Sequence, residues 1–312
     1  MKHKFLFILL FSLVLEGMVT TQAVAGDYVH QVNTLIGTKG TGLTSGYLYP
    51  GATYPYGMVQ FTPSYFSKRS GFVINQLSGG GCEHMGNFPT FPVKGKLKMS
   101  PDNILNYRIN VSEEKGHAGY YEAMVQEDIK AKLTVTERTG MASYEYPADQ
   151  QYGTIIIGGG ISATPIEQAA IVITAPNKCE GYAEGGNFCG LRTPYKVYFV
   201  AEFDTDAFET GTWKREELMP NTTFAEGEYS GVYFTFDVNK KKNIQYKIGV
   251  SYVSVENARE NLKAENAEWD FQKIQNQAEA KWNHYLGMIE VEGTNPDRTT
   301  QFYTHLYRSF IH

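Results

Sequence analysis

Beyond its first 25 residues the sequence lacks any apolar run long enough to cross a membrane, which takes about 20 residues. It also lacks a basic cluster, and its formal net charge is −5. We therefore expect no membrane-spanning helix after residue 25, and nucleic acid is an unsuitable partner. The glycine run at residues 158–160 has neither the Walker nor the dinucleotide spacing, so we expect a buried strand ending in a turn there.

Only three cysteines occur, Cys82, Cys179 and Cys189. Cys179 and Cys189 flank a glycine-rich loop, and we predict a disulfide between them, although spacing alone does not fix geometry. Cys82 would then be the odd cysteine, either a small buried thiol or part of a site wall.

The first 25 residues resemble an export signal. Lys2 and Lys4 precede a continuous apolar run over residues 5–15, and small residues at 23–25 suit cleavage before Gly26. We therefore predict a signal peptide over residues 1–25 and a periplasmic or secreted protein, which permits disulfides. An uncleaved membrane anchor is the alternative.

Short strands separated by turns dominate the chain up to residue 253. Residues 131–135 and 244–252 alternate between apolar and polar or small side chains, and residues 196–203 and 231–238 are rich in aromatic and β-branched residues. No long helical period intervenes. The pattern predicts a large antiparallel β-sandwich over residues 26–253.

The period then becomes helical. Ser254 and Asp270 are suitable N-caps for two helices, which we expect to form a linker over residues 254–293 that ends in a short strand at 288–293. Asn295 and Pro296 begin a third helix.

Apolar side chains on that third helix need a partner surface, and little sequence follows to supply one. We interpret residues 294–312 as the start of a second domain in a longer protein. A helix that folds back on the sandwich is the alternative.

Two segments, residues 46–63 and 78–89, combine glycine and proline with aromatic and polar side chains. Such composition is typical of fixed loops with unusual backbone angles, and loops of this kind usually carry binding or catalysis. The tyrosines of the first loop suit stacking on sugar faces, although we expect at least half of them to pack under the loop.

Together with several later segments, these loops resemble glycoside hydrolase family 92, the exo-acting α-mannosidases. The matching segments run in order over nearly the whole chain after the signal. They are residues 32–38, 49–60, 78–82, 185–190, 195–203, 254–259, 280–283, 289–293 and 302–307.

The resemblance implies a mainly β fold, in which a large antiparallel β-sandwich is followed by a helical linker and the first helix of a truncated (α/α)6 barrel. It implies an inverting, calcium-dependent enzyme acting on mannose-containing glycans. In the family, the acid, the base and most calcium ligands belong to the barrel. We therefore assign no catalytic residue and no metal ligand to this chain, and expect its own C-terminal barrel domain to be its main partner.

The family's sandwich loops help to shape the sugar pocket, and residues 82–87 are the best matched candidate. The substrate-binding residues that we predict are Cys82, Glu83, His84 and Asn87. Many family members carry the run SDYGD after this cysteine position, where this chain has EHMGN. A solvated pair or a local tether is the alternative for Glu83 and His84.

The histidines elsewhere lack metal-ligand spacing, and we interpret them as surface or interface residues: His30, His117, His284 and His305. Two other functions compete with the enzyme hypothesis. One is a non-catalytic carbohydrate-binding sandwich, motivated by the clustered tyrosines. The other is a structural interaction domain that docks through the last helix.

Overall fold

The computed structural model describes residues 26–39, 46–64, 71–103, 110–293 and 295–311. The predicted signal peptide lies outside the described residues. The strands are β1 Ala52–Thr53, β2 Gln60–Pro63, β3 Phe72–Val73, β4 Thr90–Lys94, β5 Val111–His117, β6 Tyr120–Val125, β7 Ile129–Val135, β8 Thr139–Glu145, β9 Tyr152–Gly158, β10 Ile166–Ala175, β11 Lys178–Phe188, β12 Leu191–Phe203, β13 Glu209–Lys214, β14 Glu217–Pro220, β15 Phe224–Glu226, β16 Ser230–Asp237 and β17 Asn243–Ser251. The helices are α1 Val255–Glu265, α2 Phe271–Leu286 and α3 Pro296–Arg308, and short 3-10 turns occupy Val29–Gln31 and Pro101–Asn103.

These strands form two antiparallel sheets. One sheet has the order β1-β2-β3-β4-β9-β16-β13-β14, and the other has the order β15-β10-β11-β12-β17-β8-β7-β6-β5. The predicted mainly β fold, an antiparallel sandwich followed by helices, is confirmed.

Aromatic side chains from both sheets meet in the core. Phe203 on β12 lies 4.8 Å from the ring of Phe234 on β16, and Phe72 on β3 stacks on Tyr144 of β8 at 6.2 Å. All four side chains are fully buried. Burial of apolar area on this scale is the main stabilising contribution to such a sandwich.

Helix α1 lies on the outer face of the second sheet. The Ser254 side chain caps its N-terminus, as predicted, by accepting a hydrogen bond from the backbone N–H of Asn257. At the other end Lys247 of β17, which is almost completely buried, donates to the carbonyls of Asn266 and Ala267 at 3.0 Å each. A cation at a helix C-terminus is favourable because it faces the negative end of the helix dipole.

Helix α2 is capped by Asp270, as predicted, and buries a stripe of side chains against the N-terminal segment and strands β6, β7 and β8. Trp282 on that stripe is fully buried, and its indole N–H donates to the carbonyl of Thr53 at 2.7 Å. Gly119, at φ +86°, lets the helix approach, since a Cβ there would lie 3.0 Å from that of Ala278.

Helix α3 begins with an Asn295 cap and Pro296, as predicted, and folds back against α2 and the N-terminal segment. Its fully buried face carries Tyr303 and Tyr307, whereas Phe302, Leu306 and Phe310 are only partly buried. Arg308 donates to the carbonyls of Tyr49 and Thr34, at 3.0 and 2.6 Å. The helix therefore fixes the loop that begins at residue 46.

The strand that we predicted at residues 288–293 is wrong. This segment has no regular structure, and Met288, Ile289 and Val291 are exposed. Short apolar runs carry a weak strand signal because pairing depends on a sheet edge being available. In the part of the chain that the structure describes, no helix has the length and apolar character needed to cross a membrane.

Candidate functional site

The two glycine-rich loops that the sequence singled out lie against each other. The backbone N–H of Gly79 donates to the carbonyl of Tyr47 at 2.9 Å. A disulfide between Cys82 and Cys189 links the second of these loops to the turn between β11 and β12. We call residues 78–89 the displayed loop. It lies between β3 and β4 of the first sheet, whereas its covalent anchor lies on the second.

This disulfide overturns the predicted pairing of Cys179 with Cys189. Cys179 and Cys189 are ten residues apart along an extended hairpin strand, a separation of about 30 Å at about 3.3 Å per residue. A disulfide needs Cα atoms within about 7 Å, and the Cα atoms of Cys82 and Cys189 are 5.4 Å apart. Cys179 is a free, fully buried thiol in the core, and burial raises its pKa.

His84 holds the displayed loop together from inside. It is buried, and its Nε2 accepts a hydrogen bond from the backbone N–H of Leu77 at 2.8 Å. Its Nδ1 donates to the carbonyl of Cys82 at 2.7 Å, since a carbonyl can only accept. Burial lowers the pKa of His84, and the two hydrogen bonds require the neutral ring. The residue acts as the tether that we considered as an alternative.

Asn87 belongs to a buried polar network. Its side-chain oxygen accepts hydrogen bonds from Asn75 at 3.0 Å and from the Tyr195 hydroxyl at 2.6 Å. The side-chain oxygen of Asn75 accepts from the backbone N–H groups of Gly86 and Asn87 at 3.1 and 2.8 Å. Tyr252, which is 38% exposed, receives a hydrogen bond from Asn75 at 3.3 Å. The network therefore connects the loop to the tyrosines beside it.

The backbone of the displayed loop is unusual. Met85 and Phe88 have left-handed φ angles of 45° and 52°, which are uncommon for residues with a side chain. Gly80 has no room for a Cβ, which would lie 2.7 Å from the His84 ring. Backbone strain of this kind persists only where surrounding contacts impose it, and it is frequent at functional sites.

Glu83 is the group that this loop presents to solvent, and it is the loop's only acidic residue. Cys82, by contrast, serves as a covalent anchor, and the side chains of His84 and Asn87 point into the protein. The structure brings all four predicted substrate-binding residues into one loop. Their contact with sugar stays a prediction.

The tyrosines of the first loop divide between packing and display. Tyr49 is fully buried, and Tyr54 is partly buried against the core. Tyr56 is 55% exposed, and its ring meets those of Tyr285 and Phe310 edge-on at 5.6 and 5.7 Å. Together with Glu83, the exposed Tyr56 and Tyr252 are the displayed groups suited to a polyhydroxylated ligand.

A separate cluster includes two histidines that sequence reasoning assigned to the surface. His30, His117 and Glu279 place one ligand atom each within 4.8 Å of one another. Their sequence separation gives no local spacing signal, so only the fold reveals their proximity. None of them belongs to the displayed loop.

The sequence matches the glycosyl hydrolase family 92 N-terminal domain over residues 31–251, and the catalytic domain of the same family over residues 257–312. A curated relative from Arthroderma benhamiae, an uncharacterized secreted glycosidase, is 25% identical over 344 residues. That match covers 96% of this chain and 44% of the relative.

Two solved structures from Bacteroides thetaiotaomicron resemble the fold closely. An inverting mannosidase of family GH92 is 26% identical with a TM-score of 0.79, over 91% of this chain and 40% of its own. An α-mannosidase of the same family shares the fold at 24% identity and a TM-score of 0.79, over 92% and 42%. This chain spans less than half the length of these relatives.

The cysteine pairing predicts a defined pattern of thiol reactivity. We expect no thiol of the native protein to react with an aromatic disulfide reagent, and one thiol per chain to react after unfolding without reductant. The reason is that Cys179 is buried while the other two cysteines are bonded. In the variant Cys179→Ser, no thiol should react in either state. Trypsin leaves Cys179 and Cys189 in one peptide, residues 179–192, which should be linked to the peptide that contains Cys82. An internal disulfide within the 179–192 peptide would contradict the structure.

The neutral state of His84 predicts a pH dependence of stability. Burial makes the pKa of His84 lower in the folded than in the unfolded protein. Its contribution to the free energy of unfolding is therefore complete above about pH 6.5 and declines as the pH falls below that value. We expect His84→Gln to lower the free energy of unfolding by about 1–3 kcal/mol at pH 7.5. The loss should be smaller at pH 5.5. The exposed His305→Gln should change little at either pH in urea titrations, and an equal loss from His84→Gln at both would contradict this role.

Proposed function

Since the chain belongs to glycoside hydrolase family 92, we propose that it is the N-terminal part of an exported, calcium-dependent α-mannosidase. The enzyme would be exo-acting and inverting, and would hydrolyse terminal α-mannosides of glycans. The observation that carries this proposal is the displayed loop, which presents the Glu83 carboxylate to solvent and is connected through Asn75 to the exposed Tyr252. The mannosidases with the same fold support the choice of substrate.

We propose that the chemistry is performed outside this chain. Inversion needs an acid and a base about 6.5–9.5 Å apart with a water molecule between them. The displayed loop contains one carboxylate, Glu83, and so does not supply that pair. The catalytic residues are expected in the barrel domain, the continuation of the catalytic-domain match over residues 257–312.

The loop does not fit a calcium ion either. Calcium takes about 6–8 oxygen ligands. Of the loop's side chains only Glu83 offers a displayed carboxylate, while the Asn87 oxygen already accepts two hydrogen bonds. The calcium ligands of the proposed enzyme therefore belong to the rest of the protein, and no step involving the ion is assigned to these residues.

The role that we assign to this chain is positioning. A carboxylate accepts hydrogen bonds from sugar hydroxyls, and such charge-assisted bonds are about twice as strong as neutral ones. The network around Asn75, His84 and Asn87 holds Glu83 on a loop that does not need to reorganise on binding. Preorganisation of this kind reduces the entropic cost of binding.

The proposal predicts that the full-length protein is active and that the 312-residue chain alone is not. The full-length protein with calcium should release mannose from α-linked mannobiosides, with β-mannose as the first anomer detected by NMR. Removal of calcium with a chelator should abolish release, and calcium should restore it. The 312-residue chain alone should show no turnover. Normal turnover by that chain, or no mannosidase activity in the full-length protein, would refute the assignment.

If Glu83 binds the sugar, removing its charge should lower the catalytic efficiency of the full-length enzyme. In the full-length enzyme, Glu83→Gln should lower kcat/KM for mannobiosides by about 10- to 100-fold, which corresponds to a lost charged hydrogen bond of about 1.5–3 kcal/mol. Most of the change should appear in KM. Glu260→Gln on the exposed face of α1 is the matched control and should leave the kinetics unchanged. Unaltered kinetics for Glu83→Gln would remove this residue from the pocket.

A further inference from the structure

We propose that His30, His117 and Glu279 form a binding site for a transition-metal cation such as Zn²⁺. The three residues come from the 3-10 turn Val29–Gln31, from the end of β5 and from α2. Their ligand atoms lie within 4.8 Å of one another, and the two imidazole centroids are 4.6 Å apart. Two ligand atoms of a tetrahedral zinc ion lie about 3.3–3.5 Å apart, so a closure of about 1.5 Å completes the site.

Hydrogen bonds set both histidines in the tautomer that a metal requires. The Nδ1 of His30 lies 2.6 Å from a carboxylate oxygen of Asp27, and the Nδ1 of His117 lies 3.3 Å from the carbonyl of Ala118. Both partners are acceptors, so both Nδ1 atoms carry the proton and leave the Nε2 lone pairs available. A histidine held by a carboxylate or a carbonyl in this way is the usual arrangement behind a metal ligand.

Two of the three side chains place electron-donating atoms opposite each other, an arrangement that a cation would stabilise. The Nε2 of His117 faces Oε1 of Glu279 at 3.6 Å, and both side chains are less than one-fifth exposed. Because Nδ1 of His117 donates to the carbonyl of Ala118, its Nε2 lone pair faces this carboxylate. Oε1 of Glu279 also accepts from the side-chain amide of Gln275 at 2.7 Å, which holds the carboxylate in place. A metal ion would bind between the Nε2 lone pair and the carboxylate.

The donor set selects the kind of ion. Two imidazole nitrogens and one carboxylate suit Zn²⁺, Co²⁺, Ni²⁺ or Cu²⁺, and they leave at least one coordination position for water. Calcium prefers oxygen ligands only, so this site is distinct from the calcium requirement proposed above. His117 is further oriented by stacking on Tyr120, with ring centroids 5.0 Å apart.

A metal at this position would cross-link three parts of the fold. The 3-10 turn already contacts α2, since the side-chain oxygen of Asn283 accepts from the backbone N–H groups of Tyr28 and Val29 at 2.9 and 3.0 Å. Val29 also packs in the same buried cluster as Trp282. The ion would therefore cross-link the N-terminal segment, the sandwich and helix α2.

Metal titration of the full protein, purified without a histidine tag and stripped with a chelator, tests the proposal. We expect Co²⁺ to bind with the visible absorption of a four- or five-coordinate site, at a stoichiometry of one. Zn²⁺ should displace it, and millimolar Ca²⁺ should not. Zn²⁺ should also raise the thermal unfolding temperature of the stripped protein.

Variants distinguish this site from adventitious binding. His30→Gln, His117→Gln and Glu279→Gln should each weaken Co²⁺ binding at least about 10-fold, and Asp27→Asn by about 10-fold through the lost orientation of His30. His284→Gln, an exposed histidine on the same helix, is the control. His30 is 54% exposed, so its substitution should leave the metal-free melting temperature unchanged. No Co²⁺ absorption, or binding that His30→Gln does not weaken, would overturn the proposal.

Discussion

Buried backbone N–H and carbonyl groups need hydrogen-bond partners, and in an irregular loop side chains must supply many of them. The buried part of the displayed loop depends on this constraint. Asn75 accepts from two backbone N–H groups of the loop, and His84 bridges Leu77 and Cys82. The disulfide to Cys189 adds a covalent link to the opposite sheet. These contacts hold the backbone on both sides of Glu83.

Side chains on the helices also bind backbone carbonyl groups of the first loop, residues 46–63. Trp282 and Arg308 donate to the carbonyls of Thr53 and Tyr49. These bonds join residues within the N-terminal-domain match, residues 31–251, to residues within the catalytic-domain match, residues 257–312. The loops and the linker helices are therefore parts of one packed unit, which is how a sandwich can form one wall of a site completed by a following domain.

Local signals in the sequence predicted much of this structure. Alternation predicted strands such as β7 and β17. The caps Ser254, Asp270 and Asn295 predicted the helix starts, because an N-cap bonds a backbone N–H only two or three positions later. The disulfide was predicted wrongly because the nearest cysteine in sequence lies far away along an extended strand. The proximity of His30 to His117 depends on how the N-terminal segment packs against β5 and α2, which no local pattern encodes.

We expect the displayed loop to form part of a mannose pocket in the complete protein. A crystal structure of the full-length protein with a mannose-derived inhibitor would test this expectation. The sugar should lie between the sandwich and the barrel, with a hydroxyl group within hydrogen-bond distance of the Glu83 carboxylate. A sugar that is bound without any contact to residues 78–89 would contradict it.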